Sequence, residues 1–166
     1  MTKTIKIGNF TEESGVNTAK RAELLDQTKW AHDFSWTEIE NLATYLRLFK
    51  IPKDTIILKE GETDPFIAIV INGNAEVHKE SPNSESKIIC ILGPGQAIGE
   101  MSVIDGHNAS ATVITLSDMT LLIMTRNSFN QLINERPSLA VKFILKLSRI
   151  LSQKLRLTSG ILVDLL

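Results

Sequence analysis

Ile98-Gly99-Glu100-Met101-Ser102-Val103-Ile104-Asp105-Gly106-His107-Asn108-Ala109-Ser110-Ala111-Thr112-Val113 reads as a strand end, a Gly-Glu turn into one helical turn, a glycine break, and a small-residue run opening another strand. Such a segment makes an anion cradle. A short helix that begins at a glycine points its free backbone N–H groups and positive dipole end at whatever lies in front. A cradle of this kind ordinarily adds a bidentate guanidinium. Between Glu100 and Val113 there is no arginine and no lysine.

Upstream, residues 55 to 97 carry short apolar runs punctuated by turn signals. Thr55-Ile56-Ile57-Leu58 leads into Glu60-Gly61-Glu62, and Phe66 to Ile71 ends at Asn72-Gly73-Asn74, a hairpin signal because glycine takes positive φ freely. Ala75 to Lys79 alternates as a half-exposed strand should, Ser81-Pro82-Asn83-Ser84 reads as a loop tip, and Lys87 to Leu92 closes at Gly93-Pro94-Gly95. Downstream, Ala111–Thr115 and Met119–Met124 add two more strands. Short strands at even spacing predict an antiparallel barrel or roll.

Helices flank the roll. Residues 1–15 are polar and without periodicity, which predicts a mobile lead-in, and Ala22, Leu24, Leu25 and Trp30 give a weak helical pattern from Thr18 to Asp33. Ser35 with Glu38 three residues on is a capping box. The stripe Trp36, Ile39, Leu42, Leu46 and Phe49 then predicts a helix reaching Pro52-Lys53-Asp54. A helix from Arg126 to Asn134 precedes a long one that Ser138 would cap with Pro137 just outside. Its broad apolar face runs through Ala140, Phe143, Ile144, Leu147, Ile150, Leu151 and Leu155. Gly160 is expected to stop it, leaving Ile161 to Leu166 as an apolar tail. The fold class is therefore α+β: an antiparallel β-roll or jelly roll (a double-stranded β-helix) with N-terminal helices and a long C-terminal helix. The divisions are 1–34, a lead-in and helix; 35–158, the domain; and 159–166, a tail.

Composition narrows the function. The 166 residues hold 43% apolar and 22% charged side chains, ordinary for a globular domain. A net charge of −1 lacks the basic field that bulk nucleic-acid binding needs. Cys90 is the single cysteine; its apolar run predicts a buried inert thiol, and the lack of a partner cysteine points to a reducing compartment. No apolar run approaches a membrane span and the N-terminus has no signal-peptide core, so a cytoplasmic protein is expected. No His/Cys/Asp/Glu grouping has metal-ligand spacing, and no nucleophile–base arrangement or carboxylate pair is readable, so neither a metal nor catalysis is expected.

The ordered set Glu60-Gly61, Asn72-Gly73, Leu92-Gly93-Pro94-Gly95 and Ile98-Gly99-Glu100, followed by a short and a long helix, resembles the cyclic nucleotide-binding domain. That family includes bacterial catabolite activator proteins, protein kinase A regulatory subunits and cyclic-nucleotide-gated channels. The resemblance covers Trp36 to Thr158. It implies that Glu100 binds a ribose 2′-hydroxyl and that the backbone from Gly99 through Met101 to Ser102 meets the cyclic phosphate. It also implies that an arginine pairs with the phosphate, followed by a small or hydroxyl residue. Those two positions are Ala109 and Ser110. His107 and Asn108 are the nearest polar side chains, and neither carries a fixed charged fork. By position, Gln153, Lys154 and Leu155 are candidates to cover the base.

Losing one partner of a buried charge pair costs roughly 2–5 kcal/mol, or about one and a half to three and a half decades of affinity. Weak binding of cAMP, cGMP or another anion is therefore expected, unless a residue outside the cradle supplies the charge. Two readings stay open: a ligand-sensing regulatory module, and a dimerisation or protein-interaction module with no nucleotide. Each of these contacts also has a plainer reading. Glu100 suits any helix N-terminus, Ser110 a strand start, and His107 a solvated loop. The basic face of the last helix is solvated charge or a surface for an acidic partner protein. A homodimer through the long helix is expected, because its apolar face exceeds what the roll alone would cover. A transcription factor would need a helix-turn-helix after that helix, and only six residues follow Gly160.

Overall fold

The N-terminal helices form where side chains cap them. In the computed structural model, which describes residues 10–63, 66–81, 83 and 85–164, α1 (Thr18–Asp26) starts where the Asn17 side chain accepts the Lys20 N–H at 2.8 Å. A 3₁₀ turn at Lys29–Asp33 leads to α2 (Trp36–Ala43). There the capping box is complete: the Ser35 N–H donates to the Glu38 carboxylate at 2.7 Å, and the Ser35 hydroxyl accepts the Glu38 N–H. The helix ends earlier than the apolar stripe suggested. Leu46 follows it in a turn, and Phe49 lies in β2 (Arg47–Ile51), opposite Leu121. The lead-in is partly ordered too: Phe10 is buried, and β1 (Thr11–Glu12) pairs antiparallel with β2. Residues 1–9 lie outside the described residues.

The remaining strands are β3 (Ile56–Leu58), β4 (Phe66–Asn72), β5 (Ala75–Glu80), β6 (Ser86–Leu92), β7 (Ala97–Ile98), β8 (Thr112–Thr115) and β9 (Met119–Thr125). They form two antiparallel sheets, ordered β1-β2-β9-β4-β7 and β3-β8-β5-β6. The strand pattern is the roll that the sequence predicts. The loop tip after β5 falls partly outside the described residues, at positions 82 and 84.

Alternation along β4 and β9 divides the interior in two. Ile67, Ile69, Leu122 and Met124 face a core shared with the helices, while Phe66, Ala68, Val70, Leu121 and Ile123 face the inside of the roll. A strand buried on both faces must be apolar at every position, which is why these runs are unbroken.

β6 behaves differently. It is the edge of its sheet, and Ile88, Ile89, Cys90 and Ile91 are all exposed. The expected buried thiol is thus corrected: among the described residues the apolar run has a neighbour on only one side, β5, and no second layer covers it.

After β9, α4 (Arg126–Glu135) is capped by the Thr125 hydroxyl, which accepts the Ser128 N–H. The long helix α5 (Pro137–Asp164) differs from expectation at both ends. Proline sits in its first turn, where the missing N–H costs nothing, and the Arg136 carbonyl takes the first bond, from Ala140. At the far end the helix runs through Gly160 to Asp164 rather than stopping. Glycine weakens a helix interior by only about 1 kcal/mol, and nothing there demands positive φ. Residues 165–166 lie outside the described residues.

Two ion pairs and an aromatic cluster seat the first half of α5. Lys142 bonds Glu38 and Lys146 bonds Asp33, both at 2.7 Å. Phe143 packs on Trp30, which stacks on Phe34, with centroids 5.3 Å apart in each case. No helix among the described residues is long and apolar enough to cross a membrane.

Candidate functional site

The cradle forms as its glycines dictate. Gly99 follows β7 with φ +79°, and α3 (Glu100–Asp105) follows it. A side chain at Gly99 is excluded by the close approach of β4: a Cβ would lie 2.2 Å from the Phe66 carbonyl oxygen. Gly106, at φ +75°, ends the helix and donates to the Ser102 carbonyl at 3.1 Å. The Arg126 guanidinium lies beside Gly106, at the carbonyl end of α3 and away from Gly99.

Of the seven predicted site residues, Met101 and Ser110 are in direct contact, the Ser110 hydroxyl reaching the Met101 sulfur at 3.6 Å. The Glu100 side chain is 4% exposed and Ser102 is buried. Gly99 sets the turn beneath them. Asn108 and His107 are exposed on the connecting loop, and Asp105 accepts the His107 N–H at 2.9 Å, in line with the solvated-loop reading. Ala109 is held from both sides. Its N–H donates to the Glu62 carbonyl at 2.9 Å, its carbonyl accepts the Gly61 N–H at 2.8 Å, and its methyl belongs to the interior of the roll.

Two cations reach this region from elsewhere in the chain. Lys154, on α5, bonds the Glu100 carboxylate directly. Lys79, on β5, donates to the Ser110 carbonyl at 2.6 Å and to the Glu60 carboxylate. Hydrogen bonding from Lys79, with help from the Glu80 N–H, holds the Glu60 carboxyl below its ordinary value. Both ammonium groups therefore already have a carboxylate partner. Lys154 is one of the three residues marked by position, while nothing in the sequence around Lys79 signals its proximity to Ser110. Among the described residues no His/Cys/Asp/Glu group could hold a metal ion. Surface depressions around Pro52 and Met119 and around Thr11–Ser14 lie on other parts of the molecule.

A family model described as the cyclic nucleotide-binding domain matches residues 48–136, more than half of the chain. The chain belongs to this family. A crystal structure of a cyclic nucleotide-binding domain from Methylobacillus flagellatus superposes with a TM-score of 0.79 at 27% identity, covering 90% of this chain and 84% of that one. The CRP-like cAMP-activated global transcriptional regulator of Mycobacterium tuberculosis is 25% identical over 128 residues, which is 77% of this chain and 55% of that protein. The regulatory subunit of a cAMP-independent protein kinase A from Trypanosoma cruzi, bound to guanosine, shares the fold with a TM-score of 0.65 at 19% identity. It is covered over 47% of its length, against 78% of this chain. The chain spans about half the length of the curated transcriptional regulators it matches.

Proposed function

We propose that the chain is a non-catalytic sensor module whose cradle retains its sugar-binding half and has lost its phosphate-pairing half. The observation that carries this reading is the contrast between Glu100 and Ala109. One is a buried carboxylate at the head of α3, and the other is a buried methyl in the position that the family gives to arginine. The contacts at Gly99, Met101, Ser102 and Ser110 complete the ligand-facing surface, with Asn108 at its rim. Binding of cAMP and cGMP is weak, with dissociation constants of tens of micromolar to millimolar, following the roughly 2–5 kcal/mol lost with a buried charge partner. A protein of this fold binds guanosine, a nucleoside without a phosphate.

Calorimetric titration of cAMP, cGMP and guanosine into the protein tests this. Submicromolar affinity for either cyclic nucleotide would overturn it. Ala109→Arg should tighten cAMP binding by more than tenfold. Thermal unfolding of the variant separates a failed gain from a damaged fold, because the residue is buried.

The exposed apolar residues Val141, Leu145, Leu155 and Leu157 on α5 favour a second role for the same module, as a homodimer through that helix or a platform for another protein. A reducing cytoplasm suits the exposed free thiol of Cys90.

A further inference from the structure

Strand β5 turns its odd-numbered residues toward the inside of the roll. Ala75 is buried there with its cross-strand partner Leu92, and Val77 packs against the same core. Two positions on, the residue with this orientation is Lys79, at the open end of the strand. Its ammonium group reaches the Ser110 carbonyl at 2.6 Å, because β8 begins beside His78 at Thr112 and the chain entering it runs past Lys79.

The opposite strand is shifted so that a second cation meets the first. Val77 pairs with Cys90 but His78 pairs with Ile88, so β6 holds one extra residue, Ile89. Regular pairing would set Ile88 against Lys79, and the bulge sets Lys87 there instead. Directly opposed residues of an antiparallel pair share a face with Cβ atoms about 5 Å apart, and like charges so placed repel. Glu60 answers Lys79, while among the described residues no carboxylate pairs with Lys87. Lys79 spends two of its three donors, on Ser110 and Glu60. An unanswered ammonium group and a spare donor therefore stand beside Ser110, whose hydroxyl meets the Met101 sulfur, a weak acceptor.

We infer that Lys79 and Lys87 form an anion-binding pair on the hairpin side of the cradle, taking the ligand phosphate that finds no guanidinium at position 109. The inference rests on the sensor reading for the nucleoside part of the ligand and on the β5–β6 register for the anion. A bound phosphate turns the repulsion between the two lysines into a shared attraction. Two exposed point charges recover only part of what a planar fork supplies, so cyclic nucleotides still bind weakly. The charge comes from a strand pair outside the segment that holds the glycine turn.

Carbon and proton resonances of the lysine ε-methylene groups report the pair directly. Inorganic pyrophosphate titrated into the full chain should move Lys79 and Lys87 together along one saturating curve. Calorimetry then compares cAMP with adenosine. In the parent, cAMP should bind roughly three- to tenfold tighter at low salt, a modest factor for exposed charges, and added salt should shrink the difference. Lys79→Gln with Lys87→Gln should lower the affinity for cAMP to that for adenosine, and Lys79→Arg with Lys87→Arg should restore the difference. Thermal unfolding checks that the glutamine variant is folded, and the pyrophosphate titration needs no variant. Equal affinities in the parent, a preference for cAMP that survives both glutamines, or pyrophosphate that moves neither lysine would each overturn the inference. If pyrophosphate moves both lysines and neither cAMP nor adenosine binds, the sensor reading fails and the anion pair stands.

Discussion

Gly99 shows how much of the site rests on single atoms. Its φ of +79° and the 2.2 Å separation between a built Cβ and the Phe66 carbonyl oxygen are independent reasons for a residue without a side chain. Gly99→Ala should therefore lower stability by roughly 2 kcal/mol or more, read as a fall in the urea midpoint. Gly160→Ala is the counter-test. Gly160 lies in an exposed helical stretch with open space around it, so alanine should leave the midpoint unchanged or raise it by up to about 1 kcal/mol. A Gly99→Ala protein as stable as the parent would show that β4 and the cradle turn are less tightly opposed than the geometry requires. At this scale the local geometry was legible, because the turn at Gly99 and the short helix from Glu100 are written in one segment. The partners of Glu100 and Ser110 were not. Lys154 is 54 residues from Glu100 and Lys79 is 31 from Ser110, and such contacts depend on how a helix and a strand dock.

Among the elements, α5 depends on its ion pairs in a way that pH should reveal. Hydrogen bonding from Lys146 holds the Asp33 carboxyl below its ordinary value, and hydrogen bonding from Lys142 does the same for Glu38. A carboxyl with a lowered folded pKa contributes stability above its unfolded value, and that contribution is lost as pH falls through the folded one. The gap in urea midpoint between the parent and a Lys142→Met/Lys146→Met protein should therefore be open at neutral pH and close as pH drops below about 4. Added salt should narrow it, since both pairs are partly exposed to solvent. A gap that persists unchanged into acid would assign the effect to lost packing of the lysine stems. The errors in reading elements from the sequence have a common cause. Leu46 and Phe49 continue the three- and four-residue spacing of α2, but buried strand positions can mimic that period over a few residues. Gly160 is a stop signal only where the chain needs positive φ. The run around Cys90 looks like core because hydrophobicity alone does not distinguish a central strand from an edge.

For the whole molecule, seven of the thirteen exposed large apolar side chains among the described residues fall on two elements. Val141, Leu145, Leu155 and Leu157 share α5, and Ile88, Ile89 and Ile91 share the edge strand β6. Concentrations of this kind on a folded surface mark association sites. Light scattering coupled to size exclusion should give about twice the 18.4 kDa chain mass at tens of micromolar, and Leu145→Glu together with Leu155→Glu should return it to one chain. A monomeric parent would count against association through the helix. Opposite settings of the two tryptophans add a practical consequence. Trp30 is buried between Phe34 and Phe143, with no partner for its indole N–H among the described residues, while Trp36 is half-exposed. Trp30 touches α5 through Phe143. Replacing Trp36 with phenylalanine would leave a single indole emitting from the root of that helix, so any shift in its colour or quenching reports the helix seat itself. The molecule thus carries an intrinsic optical gauge that needs no attached dye.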